Sequence, residues 1–292
     1  MKPALTRRDF LAGAAAAVLG ASLGFGQDKG VVKKSRVVLA RRSDVLDENS
    51  QIRQDILQEM LDEAAAKLVD ETDGVGAFRK LVRPGETVGI KTNVWSFLPT
   101  PPELESAIKR RVVDAGVAPD RIGLDDHTVR TNPLFVHATS LIDVRPLRTH
   151  YLAGMSGCIK NYIMFAESQP ALHPDSCAAL GSLFNLPQVK GKTRLCVLCV
   201  LTPQFHGRGP HHFDRRYVWP YKGLIVGRDP VAVDSIGLRL LMAKRRLVLG
   251  KEQEVPPVPK HIRLADTRYG IGTSDINAIE FIKLGWDGDI LI

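Results

Sequence analysis

The sequence predicts an α/β fold, with a mostly parallel central sheet, helices on both faces and long irregular central loops in a single domain. Short β-prone runs alternate with segments whose apolar residues recur at helical spacing, and such alternation is typical of a parallel sheet. The 292-residue chain is also long enough to bury the core of one large domain. We therefore expect one α/β domain over residues 27–292, preceded by a leader at residues 1–26.

The first half of this domain is predicted to run strand, helix, strand, helix, strand. Residues 37–40 form the first strand and residues 51–69 a helix, because the apolar residues of the second range recur every three or four positions. A strand at residues 87–93, a helix at residues 102–115 and a strand at residues 121–124 follow. The carboxyl ends of parallel strands meet at one edge of a sheet, and ligands bind beyond that edge.

The second half is predicted to be less regular. Residues 147–190 are rich in Gly, Pro, His and Ser, and an irregular segment of this length inside a domain is typical of binding loops. The regular elements expected after it are a strand at residues 194–201, a strand at residues 223–226, a helix at residues 230–249 and a strand at residues 278–284. We therefore expect part of the site in the irregular segment.

The chain has four cysteines, Cys158, Cys177, Cys196 and Cys199. The last two lie in an apolar, β-branched run that predicts a buried strand, and residues three apart on a strand point to opposite faces. We therefore expect Cys196 and Cys199 to pack in the core rather than to form a redox or metal-binding pair. An oxidising compartment favours disulfides, but whether Cys158 and Cys177 meet cannot be read from their spacing.

The N-terminal segment predicts export. It contains Arg7 and Arg8 followed by a soft apolar run rich in Ala and Gly, which is typical of a twin-arginine signal read by the translocase of that pathway. The alternative, a membrane anchor, needs about 20 strongly apolar residues, and the run from Phe10 to Phe25 is shorter. We expect cleavage before Gln27, a mature protein in the periplasm or outside the cell, and no stable membrane span in the mature chain.

The charge balance favours a small anionic ligand over nucleic acid. The chain has a formal net charge of +8, and most of this excess lies after the leader. Such an excess draws small anions towards a cleft or favours an acidic membrane surface. The basic residues are spread along the chain without a nucleic-acid-binding motif, so we do not expect nucleic acid as a partner.

Polar residues near the predicted strand ends define a candidate ligand site. Lys91, Asn93, Asp125 and Asp126 end or follow the second and third strands. Further cations and amides lie in the loops, and such donors suit a carboxylate or phosphate. These further donors are Arg130, Arg148, Lys160 and Asn161. The alternative is that the cations pair with Asp125, Asp126 and Asp229 as ordinary loop residues.

Histidines supply the candidate proton-transfer and metal-binding groups. His150 and His173 lie in the irregular central segment, where a histidine can act as acid, base or ligand. His206, His211 and His212 are close together in the chain, and imidazole suits a divalent metal. No standard zinc spacing is present, and the alternative for these three is a solvated loop.

Several short blocks resemble the family called domain of unknown function 362 (DUF362). They occur in the order of that family over about residues 85–272. The blocks are Lys91-Thr-Asn93, Thr149-His150, Ser156-Gly-Cys-Ile-Lys160-Asn161, His173, Gly209-Pro210 and Asp229-Pro-Val-Ala-Val-Asp234. The chain departs from the family pattern at Thr92, Arg148 and Arg228. These departures leave the charge character of the blocks intact.

The resemblance implies an α/β domain that is often associated with iron–sulfur modules, and it implies no established reaction. On this basis we expect His150, Lys160 and His173 to be catalytic, the lysine by stabilising charge and the histidines by transferring protons or binding a metal. Asp229 belongs to one of the blocks and is a candidate ligand-binding residue. Its position before Pro230 suits a helix cap equally well.

The sequence therefore predicts an exported, enzyme-like protein that binds a small anionic ligand together with a metal ion or an iron–sulfur partner. A redox or isomerase reaction would suit such a site. Residues 125–133 are loosely similar to a stretch of lactate-racemase-like proteins, which use a nickel pincer cofactor, with Val129 inserted. The alternative is a non-catalytic binding or maturation protein that serves a periplasmic redox complex and meets a redox protein partner.

Overall fold

One eight-stranded mixed sheet organises the domain. The computed structural model describes residues 34–207, 213–250 and 255–292, so the predicted leader lies outside the described residues. The strands are β1 (Ser35–Arg41), β2 (Val88–Lys91), β3 (Ile122–Asp125), β4 (Ser140–His150), β5 (Gly154–Ser156), β6 (Thr193–Gln204), β7 (Gly223–Gly227) and β8 (Ile279–Gly285). Their order across the sheet is β3-β2-β4-β6-β7-β1-β8, with β5 paired to β4.

The sheet is mostly parallel, as predicted. β2 pairs in parallel with β3 and β4, β4 pairs in parallel with β6, and β1 pairs in parallel with β8. β7 runs antiparallel to both of its neighbours, and β5 runs antiparallel to β4. The carboxyl ends of β2, β3, β4 and β6 therefore meet at one edge, whereas β7 ends at the opposite edge.

Helices cover both faces of the sheet. They are α1 (Gln54–Val69), α2 (Gly74–Leu81), α3 (Pro102–Asp114), α4 (Pro133–Val136), α5 (Cys158–Asn161), α6 (Pro174–Cys177), α7 (Pro230–Leu249) and α8 (Lys260–Thr267). α1, α3 and α7 confirm the three predicted helices, while α2 and α8 were not expected. None of the helices in the described ranges combines the length and apolar character needed to cross a membrane.

Two hydrophobic cores lie on the two sides of the sheet. α1, α2 and α3 form one core with alternate residues of the strands, and α7, α8 and the segment after β4 form the other. The alternation is plain in β6, where Cys196 packs into the α7 core and Cys199 into the α1 core. This confirms that the two thiols face opposite ways. All four cysteines are buried and free, so Cys158 and Cys177 do not form a disulfide here.

The central segment is more ordered at its start than predicted. β4 extends to His150, so the irregular region begins at residue 151 and not at residue 147. The prediction missed this strand because β4 buries polar residues, among them Asp143 and Arg145, where a strand would usually alternate apolar with exposed polar positions. From residue 151 to residue 190 the chain forms β5, two single-turn helices and short 3₁₀ turns, which agrees with the expected loops.

Asp229 caps the longest helix at the far edge of the sheet. Its carboxylate accepts hydrogen bonds from the backbone N–H groups of Val231 at 2.9 Å and Ala232 at 3.0 Å. It also accepts from Ser35 Oγ at 2.6 Å and from the backbone N–H of Thr273 at 2.9 Å. These contacts stabilise the first turn of α7 and tie it to β1. Of the two sequence interpretations of Asp229, the structure therefore matches the cap.

We expect Asp229→Ala to lower the free energy of unfolding by about 1–2 kcal/mol, because an N-cap is lost together with its links to Ser35 and Thr273. Urea-induced unfolding followed by circular dichroism measures this change. Asp275→Ala is the matched control, since Asp275 caps only the short 3₁₀ turn Ile276–Ala278 and should change stability by no more than about 0.5 kcal/mol. Equal effects of the two substitutions would contradict the structural role given to Asp229.

Candidate functional site

A buried ion pair forms the floor of the candidate site. Lys91 ends β2 and is fully buried, and its Nζ donates to the carboxylate of Asp126, to Thr92 O at 2.7 Å and to Asn161 Oδ1 at 3.3 Å. Asp126 also accepts from the backbone N–H of Val94 at 2.9 Å. Burial alone would raise the pKa of Asp126, but Lys91 outweighs it and the pKa is lowered. The carboxylate is therefore charged and holds the lysine.

Asn161 joins this pair to the neighbouring strand. Its Nδ2 donates to Asp143 Oδ1 at 2.6 Å, to Lys91 O at 3.1 Å and to Val144 O at 3.3 Å. Asp143 lies directly across from Lys91 in the β2–β4 register, so both side chains leave the same face of the sheet. Burial raises the pKa of Asp143 to about 8. At neutral pH this carboxyl group is mostly protonated and contributes little negative charge.

A second carboxyl group anchors α5. Asp234 of α7 accepts from the backbone N–H groups of Cys158 at 2.7 Å and Ile159 at 3.0 Å, which are otherwise unpaired groups at the start of a helix. A side chain at Gly157 would collide with the Asp234 carboxylate, so glycine is needed for this approach. These contacts fix α5 and thereby the positions of Lys160 and Asn161.

A cavity of about 350 Å³ lies above this floor, beyond the carboxyl ends of β2, β3 and β4. It brings together six of the predicted site residues. They are Asn93, Asp126, Arg148, His150, Lys160 and Asn161. Arg145 and Ser156 share the lining. Residues from four separate stretches of the chain thus converge at the edge where parallel strands end.

Two buried arginines make the cavity basic. Arg145 is 2% exposed and Arg148 4% exposed, and among the described residues neither has a carboxylate within ion-pair distance or a hydrogen-bond partner for Nε. Arg148 donates from Nη1 to Asn93 Oδ1 at 3.0 Å and to Leu98 O at 3.2 Å. Burial lowers the pKa of both arginines. Arginine does not deprotonate in proteins, so both groups stay charged, and more distant carboxyl groups, Asp126 among them, offset only part of the cost of burial.

Lys160 is the third buried cation-forming group. It is 4% exposed, and its Nζ lies 3.1 Å from His173 Nε2. Burial, followed by the charges of Arg145 and Arg148, lowers the pKa of Lys160 to about 8 although the nearby Cys177 opposes this. The pKa of His173 is lowered by burial and by Lys160. His173 thus supports Lys160 from outside the lining of the cavity.

His150 is held as a neutral hydrogen-bond donor. Its Nδ1 accepts from the backbone N–H groups of Leu152 at 3.1 Å and Ala153 at 3.2 Å, which places the ring proton on Nε2. Burial and the neighbouring cations lower the pKa of His150 to about 2. In this arrangement Nδ1 is occupied by backbone hydrogen bonds, so His150 offers Nε2–H as a donor, and its catalytic role stays a prediction.

Four predicted site residues lie elsewhere. Asp125 accepts from Thr128 and Asn132 within its own turn. Arg130 is largely exposed and lies 4.0 Å from Glu167. Asp229 caps α7 at the opposite edge, and the Nδ1 of His206 contacts Arg245 Nη1 at 3.0 Å beside a different cavity. The remaining members of the proposed histidine metal site, His211 and His212, lie outside the described residues.

An aromatic cluster flanks the cavity. The Arg148 guanidinium stacks on Trp95 at 4.3 Å from the ring centroid, and Trp95 contacts Phe97 and Phe213 with centroid distances of 5.2 and 5.8 Å. Phe97 is 54% exposed. The sequence analysis did not select Trp95, because one aromatic residue in a loop carries no local signal of its contact with Arg148.

Asp143, Cys158 and Cys196 form a group with the spacing of metal ligands. One ligand atom of each lies within 4.8 Å of the others, and all three residues are buried. Burial raises the pKa of the Cys158 thiol well above its usual value, and the pKa of Cys196 is about 11 although its hydrogen bond with Cys158 lowers it. Metal binding would have to remove protons from all three.

The described donors do not complete a metal centre. A structural zinc site takes four ligands, and no fourth His, Cys, Asp or Glu joins this group in the part of the chain that the structure describes. Cys199 packs on the other side of β6, so four thiolates of this chain cannot converge on one iron–sulfur cluster. We assign no metal to the group and derive no chemistry through one.

The fold and the cavity define an α/β protein with a basic site at the carboxyl ends of its parallel strands. Residues 120–239 match the family model described as Domain of unknown function (DUF362). This range runs from β3 to the first half of α7 and includes Arg145, Arg148 and Lys160, and it supports the family that the motif blocks predicted. Comparison with curated proteins and with solved structures found no match.

The buried His150 predicts a loss of stability in acid. A histidine of the unfolded chain charges near pH 6.5, whereas burial lowers the pKa of His150 in the folded state to about 2. Between these values the unfolded state binds a proton that the folded state does not. The free energy of unfolding should therefore fall by about 1.4 kcal/mol for each pH unit below about 6.5 because of this residue.

His150→Asn should remove that contribution, because the Asn oxygen can accept from Leu152 and Ala153 but cannot become charged. Urea unfolding from about pH 7 down to about pH 4, which crosses the unfolded-state pKa and stays above the folded-state value, measures the slope for each variant. His137→Asn, at an exposed position, is the matched control. A slope for His150→Asn equal to that of the unsubstituted protein would show that His150 is not held neutral.

Proposed function

We propose that this protein is exported by the twin-arginine pathway and binds a small carboxylate or phosphate anion in the basic cavity. The observation that supports binding most directly is the convergence of two buried arginines, Arg145 and Arg148, without a carboxylate partner among the described residues. A buried charge is costly unless it is paired. An anion between the two guanidinium groups supplies that pairing.

The surrounding carboxyl groups do not substitute for such an anion. Asp126 is engaged by Lys91, and burial raises the pKa values of Asp143 and Asp234 to about 8 and about 7. The cavity therefore keeps an excess of positive charge. Arg148 Nε and Ser156 Oγ are buried without a hydrogen-bond partner within the described residues, and a charged acceptor beside them would offset that cost.

The anion proposal predicts that Arg148→Gln weakens binding of inorganic phosphate or pyruvate. A hydrogen bond to a charged group contributes about 1.5–3 kcal/mol, so we expect Kd to rise by roughly ten- to a hundredfold. Isothermal titration calorimetry measures the affinity. Thermal unfolding with ligand gives an independent readout, since about 100 Kd of ligand raises the free energy of unfolding by about 2.7 kcal/mol.

Arg239→Gln is the matched control, because Arg239 is an exposed residue of α7 outside the cavity and should leave the affinity unchanged. Circular dichroism of each variant checks that the fold is retained. Unchanged affinity in both Arg148→Gln and Lys160→Ala would contradict the anion site. It would favour a protein that acts by docking to a partner.

That second candidate, a binding or maturation protein serving a periplasmic redox complex, is favoured by the exposed apolar surface beside the cavity. Phe97 is 54% exposed and Val94 is 49% exposed, and the Phe97 ring stacks on Phe213 with a centroid distance of 5.4 Å. Exposed apolar patches of this kind mark protein interaction sites. The two candidates differ in whether the buried cations are needed for ligand affinity.

Export is supported by the paired arginines and the soft apolar run near the start of the chain. We expect the double substitution Arg7→Lys and Arg8→Lys to abolish export, because the translocase reads the arginine pair. Immunoblots of periplasmic and cytoplasmic fractions from a bacterial host measure the distribution. Lys2→Arg is the control and should be exported normally. Periplasmic accumulation of the double variant at the unsubstituted level would refute this route.

A further inference from the structure

We propose that the anion carries a carbonyl group beside its carboxylate, and that Lys160 Nζ condenses with this carbonyl to form an imine. This inference rests on the proposed anion site and names the substrate class, a small 2-oxo carboxylic acid. It gives Lys160 a role different from that of the two arginines.

The surroundings of Lys160 differ from those of an ordinary buried lysine. Lys91, on the same face of the sheet, is held by the Asp126 carboxylate. Lys160 has no carboxylate within ion-pair distance among the residues in the described ranges, and its Nζ lies 3.1 Å from His173 Nε2. It also lines a cavity that contains Arg145 and Arg148. An ammonium group there is opposed by both guanidinium groups, whereas a neutral amine is not.

A neutral amine at this position is a nucleophile. Lysines that form imines are activated by desolvation and by neighbouring cations, and both conditions are met at Lys160. When the neutral Nζ donates one hydrogen to His173 Nε2, its lone pair stays free for the cavity. Because the pKa of Lys160 is lowered to about 8, roughly a tenth of the side chain is a neutral amine near pH 7, far more than for an ordinary lysine.

The arginines determine which carbonyl compound fits. Arg145 and Arg148 share the cavity with Lys160, and guanidinium groups hold a carboxylate through paired hydrogen bonds. A carbonyl carbon adjacent to that carboxylate is then presented to the amine. The cavity volume of about 350 Å³ is at the small end of ligand sites, which suits a short-chain acid.

The condensation balances without an oxidant or reductant. The Nζ lone pair forms a bond to the carbonyl carbon, and the carbonyl π electrons move to oxygen. His173 Nε2 accepts one proton from nitrogen and returns it to the oxygen, which gives a carbinolamine. His173 Nε2 then carries the second amine proton to the hydroxyl oxygen as the carbon–oxygen bond breaks and the carbon–nitrogen double bond forms. One water molecule leaves, and it holds the carbonyl oxygen and both amine hydrogens.

Reductive trapping tests the inference. The full purified protein is incubated with pyruvate and sodium cyanoborohydride, and intact-mass and peptide mass spectrometry locate the adduct. We expect one adduct per chain at Lys160, its loss in Lys160→Arg, and its suppression by excess inorganic phosphate, which competes for the arginines. Lys190→Arg, at an exposed lysine, is the control and should keep the adduct.

Calorimetry with pyruvate on the same samples separates the two proposals. Pyruvate binding without an adduct at Lys160, or adducts confined to exposed lysines, would overturn the imine and leave the anion site standing. Absence of both pyruvate and phosphate binding would overturn both. Calorimetry of Lys160→Arg, which keeps a cation in place, should still show phosphate binding, so loss of its adduct cannot be attributed to loss of the site.

Discussion

The buried ion pair between Lys91 and Asp126 is the constraint on which the site depends. Burying a lysine ammonium at the end of a strand is costly without a counter-charge, and removing one partner of a buried pair costs about 3–5 kcal/mol. The Lys91 amine donates to Asp126, which follows β3, and to Asn161 on α5. Asn161 in turn donates to Asp143 on β4. One set of polar contacts therefore fixes three neighbouring strands and the short helix that carries Lys160. The floor of the cavity is therefore rigid, and its own charges are balanced.

The charges in the floor of the site are balanced, whereas the charges in its walls are not. Lys91 and Lys160 are both buried lysines near the same edge of the sheet, yet the first has a carboxylate and the second has an imidazole. Arg145 and Arg148 likewise reach backbone and amide oxygens but no carboxylate in the described chain. Of the nearby carboxyl groups, Asp126 is engaged by Lys91 and Asp234 by the start of α5, and burial raises the pKa of Asp143 to about 8. The uneven distribution of counter-charges, rather than the number of cations, makes the cavity a candidate anion site.

The sequence predicted the fold well because its elements have strong local patterns, and it predicted about half of the site for a topological reason. Lys91, Asn93 and Asp126 follow parallel strands, and the ends of such strands meet at one edge. Asp229 also follows a strand, but β7 is antiparallel, and the direction of a strand is not visible in its own residues. Asp125 does end a parallel strand, but it does not line the cavity because its carboxylate accepts hydrogen bonds within its own turn. Arg145 was missed because a strand with buried polar residues lacks the alternation that identifies strands.

This arrangement lowers the stability of the ligand-free protein. Arg145, Arg148 and Lys160 lose hydration without gaining a carboxylate, which is unfavourable in a low-dielectric environment. The fold tolerates this because α5 is held from two sides, by Asp234 of α7 and by Asp143 of β4 through Asn161, and because Trp95 covers the Arg148 guanidinium. An anion that enters the cavity replaces the lost hydration without any rearrangement of these supports. Affinity for a small anion thus follows from groups that are already positioned, and stabilisation on binding follows from the charges that folding leaves unpaired.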